Sequence, residues 1–179
     1  MTSFYTEKEL AGLGLKSYGK DLKLSRYARI YAPEKISIGD NVRIDDFCIL
    51  SGDIVIGSNV HISAYVALYG QLGIIIDDYS GISSRSTIYS AMDDFSGDYL
   101  VGPIHPKEKT RVSGGKVMIN KYCQVGAHCV VFPNVSVGEG TVVGACSMVR
   151  DNLLPWKIYG GIPARLLKER NQAMLRLID

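Results

Sequence analysis

Histidine is scarce in this chain: three residues in 179, beside one tryptophan and four phenylalanines. A catalytic zinc built on histidine needs three imidazoles gathered at one point, so little is left over for any other role. The four cysteines, Cys48, Cys123, Cys129 and Cys146, form no C-x-x-C pair and no zinc spacing. Scattered in this way they read as reduced, buried, small hydrophobes. An excess of one charge is missing too. Twenty Lys and Arg face eighteen Asp and Glu, a balance that argues against nucleic-acid binding through bulk charge. Long apolar runs are absent. The longest aliphatic stretch, Leu72-Gly73-Ile74-Ile75-Ile76, falls far short of the ~18–20 residues of a membrane span. The N-terminus, MTSFYTEKEL, has no basic segment leading into an apolar one, so no secretory signal is visible. The expectation is a cytoplasmic protein without a membrane span, whose length suits a single domain with its own core.

What the chain does have is a period of six. Stepping from Ile38 gives Ile44, Leu50, Ile56, Ile62 and Leu68. After a slip of two residues the series resumes at Ile76, Ile82 and Ile88, and downstream it runs Ile119, Val125, Val131, Val137, Val143 and Val149. Ile, Leu and Val fill 48 of 179 positions, so chance would make about four of these fifteen aliphatic; all fifteen are. A second register, four residues on, is aliphatic or small: Val42, Cys48, Ile54, Val60, Val66, Leu72, Ser80, Ser86, then Cys123, Cys129, Val135, Thr141 and Ser147. It lies two residues before the next repeat position, so each pair points to the same side of a short strand. Gly, Asn and Asp mark the turns between, as in Ile38-Gly39-Asp40-Asn41 and Val137-Gly138-Glu139-Gly140. Short strands and turns that all feed one interior make a solenoid.

The whole of 1–179 is expected to be one domain. Residues 1–23 form an N-terminal cap, with a short helix opened by a Thr6/Glu9 capping box; residues 24–88 and 117–153 form five to six coils. Residues 89–116 carry no hexads and loop out as a long excursion, the kind of segment in which function tends to sit. Residues 154–179 form a C-terminal segment, read as a helix from Pro163 because Leu166, Leu167, Ala173, Met174, Leu177 and Ile178 recur at helical spacing.

With hexads of this regularity, the chain resembles the hexapeptide-repeat acyltransferases. It is most like the galactoside and maltose O-acetyltransferases and the cell-surface polysaccharide O-acetyltransferases. The resemblance implies an all-β solenoid, a left-handed parallel β-helix with three hexads per coil, here with one long excursion loop and a C-terminal helix. It also implies a homotrimer with sites between neighbouring subunits, acetyl-CoA as acyl donor, a sugar or nucleotide-linked sugar as acceptor, and no metal.

His61 precedes Ile62 on the outward side of a strand and His128 falls in a turn; both read as solvated. His105 stands apart, in Gly102-Pro103-Ile104-His105-Pro106, where flanking prolines restrict the backbone. Relatives carry His-Pro in this excursion as their general base, which makes His105 the catalytic candidate. The chemistry suits an imidazole: a sugar hydroxyl must lose its proton as it attacks an already activated thioester. A carboxylate among Asp93, Asp94, Asp98 and Glu108, or a carbonyl, would orient the ring. Arg85, Tyr89 and Asp94 are candidate acceptor contacts. By the same resemblance the backbone at Ala127 and Ala145 would hold the pantetheine arm. The run Tyr159-Gly160-Gly161-Ile162-Pro163-Ala164-Arg165 resembles the family's closing Gly-x-Pro-Ala-Lys/Arg motif, which implicates Gly161, Arg165 and Lys168 in coenzyme A binding. Three positions depart from the pattern. Gln124 stands where relatives often have Trp, Asp151 where they have Lys, leaving Arg150 to meet phosphate, and Arg85 where they have Asn.

The leading expectation is therefore sugar O-acetylation. Its rival is N-acetylation of a nucleotide-linked amino sugar by the same machinery. Two other classes compete: a γ-carbonic-anhydrase-type hydratase, disfavoured because no two histidines lie five residues apart, and a non-catalytic solenoid scaffold.

Overall fold

The computed structural model describes residues 3–178. Met1, Thr2 and Asp179, the outer bounds of the expected cap and C-terminal segment, lie outside the described residues. The chain winds as a left-handed parallel β-helix of about seven coils, with three faces. One face carries Lys23–Leu24, Arg43–Ile44, His61–Ile62, Gly81–Ile82, Gln124–Val125, Val142–Val143 and Lys157–Gly160, each paired in parallel with the next. A second face carries Arg29–Tyr31, the first halves of Ile49–Ile56 and Ala67–Ile76, then Thr87–Tyr89, Val130–Val131 and Met148–Val149. The third carries Ser17–Tyr18, Ile36–Ile38, the second halves of the two long strands, Val117–Ile119 and Ser136–Val137.

The register explains the period. Ile44 pairs with Ile62, Ile62 with Ile82, Ile82 with Val125 and Val125 with Val143. Each repeat residue thus sits on its counterpart one coil away. All fifteen repeat positions are buried, and full burial of such a side chain stabilises by ~1.5–3 kcal/mol. In the second register twelve of the thirteen residues are buried, including Cys48, Cys123 and Cys129. The exception is Leu72, 47% exposed, because Ile74 takes its place opposite Ile54. Gly70–Gly73 widens that corner, and this is the physical origin of the two-residue slip.

The corners demand left-handed backbone. Asn41, Asn59 and Asn134 supply it at φ 51, 59 and 61, but so do the bulky Phe47, Tyr65, Arg85 and His128, at φ between 58 and 64. That conformation costs roughly 1–2 kcal/mol for a residue with a Cβ. Ladder bonds offset it, among them Tyr65 N–H to Asp46 O at 3.0 Å and His128 N–H to Ser84 O at 3.1 Å.

Both ends differ from the sequence-based expectation. The coils begin earlier and end later, because Tyr18 and Tyr159 occupy aliphatic repeat positions opposite Ile38 and Val143. The cap helix is present at Glu7–Ala11, with the Thr6 N–H donating to Glu9 Oε2 at 2.8 Å. The C-terminal helix from Pro163 is not formed. Arg165–Glu169 is a strand running antiparallel to Lys157–Gly160, and only Ala173–Leu177 makes a 3-10 turn. The last coil leaves an open row of N–H and C=O groups, and a returning strand satisfies them where an isolated short helix would satisfy only its own. Among the described residues no helix is long and apolar enough to cross a membrane.

Candidate active site

The excursion leaves the solenoid at Ser90, which ties its root to the widened corner. The Ser90 hydroxyl donates to Tyr69 O at 3.0 Å and accepts from the Leu72 N–H at 2.8 Å, while Ser90 O accepts from the Gly115 N–H at 2.9 Å. Ala91–Asp93 and Val112–Gly114 then pair antiparallel, with an outer bridge between Leu100 and Thr110. Together they hold out a stiff hairpin rather than a loose loop. Between hairpin and coils lies a cavity of about 620 Å³ lined by Gln71, Tyr89, Asp93, Phe95, His105 and Lys107, among others. The slip and the excursion therefore build one feature: Gln71, from the extra residues of the slip, faces the same cavity as His105.

His105 is half-buried in this wall, just before the Lys107–Lys109 turn. Of the four carboxylates considered as its orienting partner, none hydrogen-bonds the ring among the described residues; Asp93 alone lines the cavity with it. Asp94 is occupied elsewhere. The Ser96 side chain, and after it the Ser96 N–H that donates to the carboxylate at 2.7 Å, hold its pKa below the usual range, and its own N–H donates to Arg111 O. Tyr89 forms the floor, stacked on Tyr69 at 5.2 Å, with burial raising the pKa of its hydroxyl.

Of the residues expected to hold coenzyme A, Ala127, Ala145 and Gly161 collect at the other edge of the same face. Ala127 and Ala145 occupy successive turns of one corner, joined by Cys146 N–H to Ala127 O at 2.8 Å. Gly161 docks onto that corner: its O accepts from the Met148 N–H at 3.0 Å and its N–H donates to Ser147 Oγ at 3.0 Å. Arg150 follows Val149 at the end of the corner's last strand, and the Arg165 guanidinium lies 4.0 Å from the Asp151 carboxylate. Lys168 sits on the returning strand, opposite Ile158. A second cavity of about 330 Å³ opens here, lined by His128, Val130, Phe132, Cys146, Met148 and Ile162 with others. None of these six was singled out for a role from the sequence. For His128 and Cys146 the signal lay in the position three residues after the repeat residues Val125 and Val143, the outward tip of a corner, whereas Val130, Phe132 and Met148 flank the repeat residues Val131 and Val149.

The two cavities are bordered by neighbouring strands. Thr87 pairs with Val130, so Tyr89 in the first is about one strand spacing, ~4.8 Å, from the strand that lines the second. Arg85 is not in the His105 cavity. It lies at the corner one coil before His128, with its guanidinium 4.6 Å over the Tyr65 ring. His61 is remote on another face, exposed and hydrogen-bonded to Asp45 at 2.8 Å. Burial pushes the Cys123 thiol up to about 12 and the Cys48 thiol up to about 11; Cys146 is the exposed cysteine.

Residues 35–70 match the family described as bacterial transferase hexapeptide (six repeats). Over 178 residues, 98% of this chain and 93% of the relative, the chain is 39% identical to dTDP-4-amino-4,6-dideoxy-D-glucose acyltransferase of Escherichia coli. To the galactoside O-acetyltransferase of E. coli K12 it is 27% identical over 119 residues, 64% of this chain and 56% of that enzyme. Among solved structures it is similar to AntD, an N-acyltransferase from Bacillus cereus in complex with dTDP and 3-hydroxybutyryl-CoA. The TM-score is 0.97 at 51% identity, over 99% of this chain and 95% of that one. AntD has also been solved as S84A and D94N forms. Identity of this extent, along nearly the whole length and on the same coils, settles the family: the chain belongs to the hexapeptide-repeat acyltransferases and is an enzyme that transfers acyl groups.

Proposed function

We propose that this enzyme acylates the amino group of a dTDP-linked amino sugar, with an acyl-CoA as donor. The observation that carries this reading is the similarity to AntD, 51% identical over 99% of the chain and bound to dTDP and an acyl-CoA. The 39% identity to an acyltransferase named for a dTDP-amino sugar supports it. The O-acetyltransferase similarity is weaker and shorter, so N-acylation takes precedence over the O-acetylation that the sequence alone favoured.

The site suits that chemistry. Ala127, Ala145 and Gly161 offer backbone groups to the pantetheine arm, Arg150, Arg165 and Lys168 offer charge to the nucleotide phosphates, and the second cavity takes the acyl end. The sugar enters beside Tyr89 and His105. A neutral amine attacks the thioester carbonyl, His105 takes the proton that the nitrogen sheds, and a backbone N–H steadies the oxyanion. The thiolate leaves readily because its pKa is low. Asp93, in the cavity with His105, attracts the ammonium form of the acceptor. Ser84 and Asp94 bear the same residue type and number as the positions substituted in the solved AntD forms. Ser84 precedes Arg85 at the corner and Asp94 lies on the excursion hairpin, so both stand on elements that border the site. Acting in a trimer, the excursion of one copy would face the corner of the next.

The test is acyl-CoA-dependent thiol release with dTDP-4-amino-4,6-dideoxyglucose beside its 4-hydroxyl counterpart, using acetyl-CoA and 3-hydroxybutyryl-CoA. Release with the amine only, and a product stable to mild alkali, is the expected result. Release with the hydroxyl sugar and an alkali-labile product would restore O-acylation. No release with either donor and either sugar would overturn the dTDP-sugar assignment and move the acceptor to another class.

A further inference from the structure

The second register changes character along the chain. In the N-terminal coils it is mostly aliphatic, with Val42, Ile54, Val60 and Val66; from Ser80 onward it carries Ser86, Cys123, Cys129, Thr141 and Ser147. These polar side chains are 3% exposed or less, and a polar group at such depth costs free energy unless it is hydrogen-bonded. Each donates to a backbone carbonyl at a corner of the solenoid.

At the corner between the first and second faces, Ser86 Oγ donates to Gly126 O at 2.8 Å. Gly144 O accepts twice, from Cys129 Sγ at 3.1 Å and from Ser147 Oγ at 2.7 Å. The bonds link on, since Ser86 Oγ accepts from the Cys129 N–H at 3.1 Å and Ser147 Oγ from the Gly161 N–H at 3.0 Å. A Cβ at Gly126 would lie 2.6 Å from the Ala145 nitrogen, so glycine lets the two turns stack this closely. A trans peptide unit is planar, with its C=O and N–H pointing opposite ways. Turning the Gly126 and Gly144 carbonyls toward buried donors therefore turns the Ala127 and Ala145 N–H groups outward. Neither N–H has an acceptor among the described residues. At the corner between the third and first faces, by contrast, the equivalent N–H groups of Lys20, Asp40, Ser58 and Asp78 are taken by side-chain oxygens at 2.6 to 3.0 Å.

We propose that Ser86, Cys129 and Ser147 are positioning residues of the donor site, acting from the interior through the Ala127 and Ala145 N–H groups. The inference rests on the acyl-CoA reading of that corner. The pantetheine arm has two amide carbonyls separated by one nitrogen and two methylenes. Two N–H donors one coil apart, ~4.8 Å, match that interval, and the interior hydrogen bonds keep both aimed before the ligand arrives.

The corner between the third and first faces supplies the control. There Ser80, Cys123 and Thr141 make the same kind of bond from the same register, to Asn120 O, Gly138 O and Leu154 O at 2.9, 3.0 and 2.7 Å. No residue expected to hold coenzyme A lies there. Calorimetric titrations use coenzyme A and adenosine 3′,5′-bisphosphate, which lacks the pantetheine arm. They are run on Ser86→Ala, Cys129→Ala and Ser147→Ala, and on the controls Ser80→Ala, Cys123→Ala and Thr141→Val. Thermal melts set a titration temperature at which every variant is folded. The donor-corner substitutions are expected to raise the dissociation constant for coenzyme A about fivefold or more and to leave that for the bisphosphate nearly unchanged. The control substitutions are expected to lower the melting temperature comparably while both constants stay near wild type. Cys129→Ser keeps a donor of the kind found at Ser86 and Ser147, and is expected to restore coenzyme A binding.

Unchanged coenzyme A binding in the donor-corner variants overturns the assignment. So does an equal loss in the control variants, or bisphosphate binding that weakens as much as coenzyme A binding, since either marks a general loosening of the fold. A Cys129→Ser protein no better than Cys129→Ala does the same. Wild type that acylates the dTDP-amino sugar, with variants that keep its KM for acyl-CoA, sinks the positioning role and spares the function. Wild type that binds no coenzyme A sinks both.

Discussion

At the scale of single residues, exposure separates groups that react from groups that pack. His105 is half-buried on a hairpin that contributes no side chain to the coil interior. His105→Ala is therefore expected to lower kcat/KM by ~10²-fold or more while the melting temperature stays put. Steady-state kinetics beside a thermal melt checks this, and an unaltered rate would show that the amine needs no base from this side chain. Cys146 gives a second handle, because it lines the donor cavity and is exposed while Cys48, Cys123 and Cys129 are buried. An accessible thiol can be reached by an alkylating reagent, and burial protects the others. Iodoacetamide is expected to alkylate Cys146 alone in the native protein, and acetyl-CoA is expected to slow that reaction. Peptide mass spectrometry reads both; alkylation indifferent to acetyl-CoA would move the donor away from this corner.

At the scale of elements, the two caps decide how well the solenoid ends are closed, since a bare last coil exposes an interior and an edge. At the N-terminus Glu9 is held at a pKa of about 2 by Arg26, with help from Thr6. A depressed carboxylate contributes stability that is present above its ordinary pKa near 4.5 and lost as pH falls through the folded value. The gap in melting temperature between wild type and Glu9→Gln is thus expected to be constant above pH 5 and to close between about pH 4.5 and 2. A gap that persists at pH 2 would mean the ion pair is not its source. At the C-terminus Arg170 donates to Tyr122 O at 2.6 Å and Gly140 O at 2.8 Å, and lies 5.9 Å over the Trp156 ring. Removing it leaves half-buried carbonyls without donors, at ~1–3 kcal/mol. Arg170→Ala is expected to lower the melting temperature and to speed amide exchange in 157–169. Arg170→Lys should rescue little, because an ammonium cannot reproduce the planar fork.

At the scale of the whole molecule, the outward valines Val55, Val130 and Val142 fall on three different faces. A contiguous apolar column does exist on one of them, where Val55 pairs with Ile75 and Ile75 with Met118; Val55 and Met118 are 40% and 39% exposed. The trimer implied by the family would bury a column of this kind. Light scattering is expected to give three times the mass of one chain, and Ile75→Lys to reduce it. An unchanged mass in that variant would move the contact to another face.

The solenoid was written in the hexads, because a period-six series puts one residue of each strand into the interior whatever the neighbouring coils contain. The same holds for the capping box, whose partners are three residues apart, and for the departure of 89–116 from the repeat. Its ends were illegible: tyrosines at repeat positions hid the outer coils, and a helical spacing of leucines masked a strand that is called for by a hydrogen-bonding edge far away in the chain. The site divides in the same way. His105 stood out through its prolines and its resemblance, but its cavity did not, since Gln71, Tyr89 and Asp93 reach it only once the slip at Gly70–Gly73 is stacked beneath the excursion. The donor cavity and the interior hydrogen bonds behind it were likewise invisible, because their residues recur a whole coil apart and become neighbours only when the winding brings each coil down on the last.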